Sequence, residues 1–233
     1  MSLSIVVPVF NEVKCLEHVI SNWSKYLIQK KITHEFVICE DGSTDGTKEL
    51  IKKLEKIYFV SNQSVEKRRG YGQGVISGVI AAKYEYILCI DSDGQCMPDS
   101  FEEFFTNKDV ADILIGNRNP RRDPKIRIIY SKLFKLVHDY LFDSRIKDPS
   151  CPYVLAKKDI YKMLINKLGF MREGFWWGFV GAAKMYKLKF HQINIIHYPR
   201  YDGSTVVYKL NKMPSIILRN ILGLIRLKRS FKS

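Results

Sequence analysis

The sequence predicts an α/β fold with a mainly parallel sheet flanked by helices. Three observations carry that prediction. Short apolar, β-branched runs alternate with longer stretches of helical spacing through the first half of the chain, which implies right-handed strand–helix–strand crossovers. The turns that follow the strand-like runs are polar and often acidic, as expected where such sheets bind ligands. The 233 residues are 46% hydrophobic, enough to bury a proper core in one large domain.

The elements follow in order. Residues 3–9 form a β-branched run ending in a turn, and 12–29 place Val13, Leu16, Val19, Ile20, Trp23 and Leu27 at helical spacing. Residues 36–39 are the next strand. Ser43 or Thr44 is then expected to cap a helix reaching Lys56, with Leu50, Ile51 and Leu54 as its buried stripe. Residues 58–61 make a third strand, and the glycine-rich turn at 69–74 leads into a helix through Ala82. Strands are predicted at 86–90 and 113–116. The second half reads as a helix at 126–142, a loop at 148–152, helices at 159–168 and 174–186, a strand-like run at 188–198 and a last helix at 213–229. The expected organisation is one domain over 1–210, with a first half (1–120) and a second half (121–210), followed by an amphipathic, basic helix in 211–233. No repeat or linker separates the halves, so they are expected to fold together.

Thirty-eight Lys and Arg against 24 Asp and Glu give a net charge of +14, which favours an anionic partner without choosing one. The five cysteines (Cys15, Cys39, Cys89, Cys96, Cys151) contain no Cys-x-x-Cys pair, so a zinc site is not expected, and they fit a reducing, cytoplasmic compartment. His18, His34, His138, His191 and His197 lack metal-ligand spacing. Neither a secretory signal nor a spanning apolar run is visible, so the chain is expected at most to lie on a membrane.

The chemistry concentrates at Asp91-Ser92-Asp93, which directly follows a buried strand. Two carboxylates one residue apart can hold Mg²⁺ or Mn²⁺ by oxygen ligation, with Gln95 as a further oxygen donor; a pair of solvated turn aspartates is the alternative. Trp176-Trp177 is either a sugar platform or half-buried packing, and packing is favoured. Arg68 or Arg69 can meet a phosphate, although with Lys67 beside them a solvated charged face is the preferred reading.

Pro8-Val-Phe-Asn-Glu12, Glu40-Asp-Gly-Ser-Thr-Asp-Gly46, Gly70-Tyr-Gly72, Asp91-Ser-Asp-Gly-Gln95 and Gly116-Asn-Arg118 occur in the order seen in family 2 glycosyltransferases. With Asp148-Pro-Ser-Cys-Pro152 and His197-Tyr-Pro-Arg-Tyr-Asp-Gly-Ser204, the set resembles the branch containing dolichyl-phosphate mannose synthase and bacterial polyprenyl-phosphate transferases. The resemblance covers roughly residues 3–205. It implies a GT-A fold, a nucleotide-diphosphate sugar donor, a divalent cofactor (Mg²⁺ or Mn²⁺) and inversion at the anomeric carbon. It places Pro8, Phe10, Glu12, Asp41 and Asp91 at the nucleotide. Asp91, Asp93 and Gln95 fall at the metal, and Arg118 and Arg200 near phosphate groups, so Asp91, Asp93, Arg118 and Arg200 are the expected catalytic set. Several positions depart from the pattern: Glu40 replaces an Asp, Gly178 and Gln192 replace Glu, and Asn194 replaces Pro.

Loss of the carboxylate at Gly178 tilts the acceptor towards a lipid phosphate, which needs no general base. A hydroxyl acceptor on a glycan or glycolipid is the alternative, with Glu173, Asp148 or Asp202 as its base. A nucleic-acid-binding protein or an inactive membrane scaffold are more distant readings; no nucleic-acid-reading motif is present. The last helix, with Ile217, Leu218, Ile221, Leu222, Leu224 and Ile225 on one face, and Arg219, Asn220, Gly223 and Arg226 on the other, is expected to lie on an anionic membrane surface; packing on the domain is the competing reading.

Overall fold

The computed structural model describes residues 2–123, 125–172, 174–201 and 213–231. A seven-stranded sheet forms its centre, comprising β1 (Ser2–Val9), β2 (Thr33–Glu40), β3 (Val60–Asn62), β4 (Tyr86–Cys89), β5 (Ile113–Arg118), β6 (Val154–Lys157) and β7 (Phe190–Ile195). The spatial order is β3-β2-β1-β4-β6-β5-β7. β6 runs antiparallel to both β4 and β5, and every other pairing is parallel. β6 and β7 come from the second half, so the two halves share one sheet. Leu3, Ile5, Val6 and Val7 of β1 are all fully buried, as expected of a central strand covered on both faces. Each such side chain contributes about 1.5–3 kcal/mol of apolar burial.

The helices are α1 (Leu16–Gln29), α2 (Thr47–Leu54), α3 (Tyr71–Ala81), α4 (Phe101–Thr106), α5 (Lys125–Phe142), α6 (Lys158–Ile165), α7 (Phe175–Met185) and α8 (Met213–Arg229). The buried stripe of α1 contains Leu16, Val19, Ile20, Trp23 and Leu27, the spacing read from sequence. The helix starts later than expected, because Asn11 takes a left-handed φ of 56° and residues 11–15 form a turn.

Neither Ser43 nor Thr44 caps α2. The chain enters that helix through Gly46 at φ 93°, and the Asp45 carboxylate accepts the Thr47 N–H at 3.1 Å. Ser43 Oγ instead accepts the Asn11 N–H at 2.9 Å, while Asn11 Oδ1 accepts the Thr44 N–H at 2.9 Å. These bonds lace the turn after β1 to the turn after β2. Two elements went unread in the sequence. α4, with the 3₁₀ turn before it, is too short to show a period. β6 is a four-residue buried run whose pattern cannot be told from the start of the helix that follows.

α8 packs against α7 and α5. Ile216, Leu224 and Leu227 are buried. Gly223, read on the face opposite the apolar stripe, faces the domain, since a Cβ there would stand 2.7 Å from the Met171 sulfur. Asn220 faces inward as well, lining the cavity described below. Leu218 and Leu222, by contrast, are exposed. No helix among the described residues is long and apolar enough to cross a membrane.

Candidate active site

One cavity opens at the carboxyl ends of β1, β2, β4 and β5, where the polar turns converge. It is lined by Pro8, Phe10 and Glu12 after β1, Asp41 after β2, Asp91, Ser92 and Asp93 after β4, and Arg118 at the end of β5. Arg68, Tyr71, Arg121, Trp176, Trp177 and Arg200 complete much of the wall, with residues of α5 and α8 on the remaining side. Every site residue read from the sequence lies there except Gln95. Its amide nitrogen donates to the Tyr198 carbonyl at 3.2 Å and its backbone N–H to Asp93 Oδ1 at 3.1 Å. Gln95 thus braces the Asp91–Asp93 turn and the 198–201 segment instead of standing on the cavity wall.

Phe10, Arg68 and Asp41 form one end of the site. The Arg68 guanidinium lies 4.1 Å from the Phe10 ring centroid, a cation–π contact, and 3.9 Å from the Asp41 carboxylate. Arg68 stays exposed, as the solvated reading has it, and also lines the cavity beside the aromatic face and the buried carboxylate. Arg69 does turn away, to Ser77 Oγ at 3.1 Å. Asp41 also accepts the N–H groups of Arg69 at 2.7 Å and Gly70 at 2.8 Å, which fixes the glycine turn beneath the cavity. Glu40 is buried and takes hydrogen bonds from the Ser43 N–H and, at 2.7 Å, from Ser64 Oγ, so this departure from the family pattern serves the scaffold.

The central part of the site is acidic. Ser92 Oγ donates to the Pro8 carbonyl at 3.0 Å, tying the Asp91–Asp93 turn to β1. Tyr71 Oη donates to Asp91 Oδ1 at 2.7 Å and accepts from Trp176 Nε1 at 2.8 Å. Burial, and then the Asp91 charge, pushes the Tyr71 hydroxyl well above its ordinary pKa and keeps it a donor. Arg200 is held beside these acids because the Tyr201 N–H donates to the Asp93 carbonyl and the Tyr201 ring stacks on His18 at 4.2 Å. Its guanidinium donates to the Glu12 carboxylate and, at 3.3 Å, to Asp93 Oδ2. Burial raises the Glu12 pKa, and Arg200 only partly offsets that rise.

The far end is basic. Arg118 is buried and donates through Nε and Nη2 to both oxygens of Asp148, at 2.6 and 2.9 Å, and through Nη2 to Ser150 Oγ at 2.8 Å. Nη1 takes no part in these bonds. Burial would raise the Asp148 carboxyl, but the Arg118 charge and hydrogen bonds overcome it and hold the pKa at about 2. Arg121, unread in the sequence because it sits in an unremarkable Arg-Arg-Asp-Pro run, stands 3.7 Å from the same carboxylate and is oriented by Asp123 and Ser131. Burial, and next the positive charge of Arg118, lowers His197 to about 4, so its neutral Nδ1 accepts the Arg122 N–H at 3.0 Å. Trp176 and Trp177 are buried, as packing requires, yet both also reach the cavity. Of the candidate bases, Glu173 and Asp202 lie outside the described residues, as does the end of the 197–204 motif.

The oxygen-only donor set of Asp91 and Asp93 suits a hard divalent cation. Among the described residues no group of three or more His, Cys, Asp or Glu side chains is arranged to hold a metal, so such an ion would draw its other ligands from a bound diphosphate and water.

A cavity of this kind at the strand ends of a mainly parallel, helix-flanked sheet is the arrangement of a GT-A fold. The model of glycosyl transferase family 2 matches residues 4–184, and the chain belongs to that family. It is 30% identical over 181 residues to a dolichyl-phosphate beta-glucosyltransferase of Trichomonas vaginalis, covering 70% of this chain and 55% of the relative. A dolichyl-phosphate beta-glucosyltransferase of Dictyostelium discoideum is 23% identical over 255 residues, covering 97% of this chain and 77% of that one. This chain thus spans little more than half the length of the first of these relatives. Among solved structures, glucosyl-3-phosphoglycerate synthase from Mycobacterium tuberculosis, in complex with Mn²⁺, uridine diphosphate and glucosyl-3-phosphoglycerate, superimposes with a TM-score of 0.75 at 18% identity. That match covers 98% of this chain and 80% of the other.

Proposed function

We propose that this chain transfers a hexose from a nucleotide-diphosphate sugar to a polyprenyl-type lipid phosphate, with inversion at the anomeric carbon. The observation that carries this reading is the charge layout of one cavity: paired aspartates in the middle and an arginine cluster at the far end, two stations for two anionic groups. Phe10, Arg68 and Asp41 receive the nucleoside. Asp91 and Asp93 hold the divalent ion, which when bound neutralises charge on the departing nucleoside diphosphate. Arg118 and Arg121 orient the acceptor phosphate, for which a planar guanidinium offers paired donors. Arg200, set between the two stations, exchanges its carboxylate partners for a phosphate as substrates enter. A phosphate oxygen of the acceptor then attacks the anomeric carbon from the face opposite the diphosphate, whose bond to that carbon breaks with its electrons.

An already ionised acceptor needs no base, and three features fit that. Asp148 is too acidic to take a proton at neutral pH. A Cβ on Gly178 would meet Met171 and Leu168 side chains at 3.0–3.1 Å, an apolar corner unsuited to a carboxylate. The names of the relatives point to lipid phosphates as well. The chain is assigned to the cytoplasmic face of a membrane, bound peripherally through α8, whose sequence carries four basic residues and no acidic one.

The test supplies labelled nucleotide-diphosphate hexoses with a short polyprenyl phosphate in detergent. The expected product is a lipid-extractable sugar phosphate formed only with the phosphorylated lipid. Equal transfer to the unphosphorylated polyprenol would move the reading to a hydroxyl acceptor.

A further inference from the structure

In Gly70-Tyr-Gly72 the glycines serve the backbone, and the residue between them reaches into the site. Gly70 takes a φ of 107°, and its N–H is held by Asp41 Oδ2 at 2.8 Å. Beyond Tyr71, the Gly72 N–H donates to the Arg172 carbonyl at 2.9 Å, and Gln73 Nε2 donates to the Gly169 carbonyl at 2.7 Å. The start of α3 is thus clamped to the segment that leads into α7. Trp176, in the first turn of α7, is buried and packs T-shaped against Phe175 and Phe179, with ring centroids 5.1 and 5.3 Å away. Tyr71 and Trp176 therefore meet from two elements that are fixed to each other, and both line the cavity.

Counting protons sets the direction of the hydrogen bonds between them. An indole N–H can only donate, so the Tyr71 oxygen accepts from Trp176 Nε1 at 2.8 Å. The phenol has one proton of its own, and Asp91 Oδ1 takes it at 2.7 Å. The chain runs one way, from Trp176 through Tyr71 to Asp91, and each bond polarises the next. We infer that Tyr71, locked by Trp176, is a positioning residue that holds the Asp91 carboxylate in the orientation a divalent ion requires. Carboxylate torsions are broad and soft, so a ligating carboxylate is oriented by the donor that bonds it. The inference rests on the assignment of Asp91 and Asp93 to the ion under the proposed function.

The test titrates Mn²⁺ into the full chain with uridine or guanosine diphosphate, without acceptor or turnover. Bound Mn²⁺ is read by electron paramagnetic resonance, beside the melting temperature of the metal-free protein. Tyr71→Phe, which removes only the hydroxyl, is expected to raise the Mn²⁺ half-saturation about tenfold or more. Trp176→Phe should raise it less. The double variant should stand no higher than Tyr71→Phe, because the indole acts only through the phenol. Gln73→Ala, which loosens the clamp but spares the hydroxyl chain, should leave it unchanged. A wild-type half-saturation in Tyr71→Phe overturns the inference. So do additive effects of the two aromatic variants, or a shift in Gln73→Ala as large as that in Tyr71→Phe. Should Tyr71→Phe fail to melt cooperatively, Trp176→Phe decides, and an unchanged half-saturation there overturns the inference. A wild type that binds no Mn²⁺ with either diphosphate overturns the metal assignment and the inference together; every other outcome leaves that assignment standing.

Discussion

Arg118, which lines the cavity, and Asp148 form a buried, doubly hydrogen-bonded pair, and each makes the other's charge tolerable. Removing one partner leaves the other uncompensated, at a cost of about 3–5 kcal/mol. Asp148→Asn should therefore lower unfolding stability in urea by that order, and Arg118→Met combined with Asp148→Leu should recover most of it. A single variant within 1 kcal/mol of wild type would mean that the pair is wet and weak. The sign with pH follows from the depressed carboxyl. Its contribution is complete above the ordinary value of 3.8 and is lost as pH falls through about 2, so the pair stays intact across the working range. The arginine was legible at the end of a strand within Gly-Asn-Arg. Its partner was read only as a loop aspartate and candidate base, because nothing in the sequence spacing joins residues thirty apart across two strands.

Among the elements, those with a period long enough to count were read and the short ones were not. α1, α3, α5 and α8 run for eleven residues or more and came through with small boundary errors. β6, four residues inserted antiparallel between β4 and β5, did not. The face of α8 was only partly read, because a helical wheel cannot tell which neighbour a mixed face meets; Asn220 and Gly223 proved to be inward. Close approach between elements also explains Gly72, in the first turn of α3. A Cβ on Gly72 would lie 2.1 Å from the Met171 carbonyl oxygen, and the Gly72 N–H donates to the Arg172 carbonyl at 2.9 Å. Gly72→Ala is expected to cost at least 1–3 kcal/mol, roughly the penalty of overpacking, and to weaken nucleotide binding by displacing Tyr71. Gly169→Ala, where a Cβ meets nothing within 4 Å, should stay within about 0.5 kcal/mol. Calorimetric melting of the two variants checks both, and equal melting temperatures would refute the packing argument.

At the scale of the molecule, a chain of net charge +14 sets Glu12, Asp41, Asp91 and Asp93 around one cavity at the strand ends and places arginines against them. The order of the strand-end motifs made that edge legible. Tyr71 and Arg121 came from the fold, which carries them there from a helix start and the segment after β5. The central claim is that this edge binds a nucleoside diphosphate through a metal held by Asp91 and Asp93. Thermal shift with uridine and guanosine diphosphates, each with Mn²⁺ or with a chelator, measures it most directly, since a ligand at a hundred times its Kd stabilises the fold by about 2.7 kcal/mol. The account expects a rise in melting temperature with one diphosphate only when Mn²⁺ is present, and loss of that rise in an Asp93→Ala protein that still melts cooperatively without ligand. The same rise in chelator, or in Asp93→Ala with Mn²⁺, would contradict it.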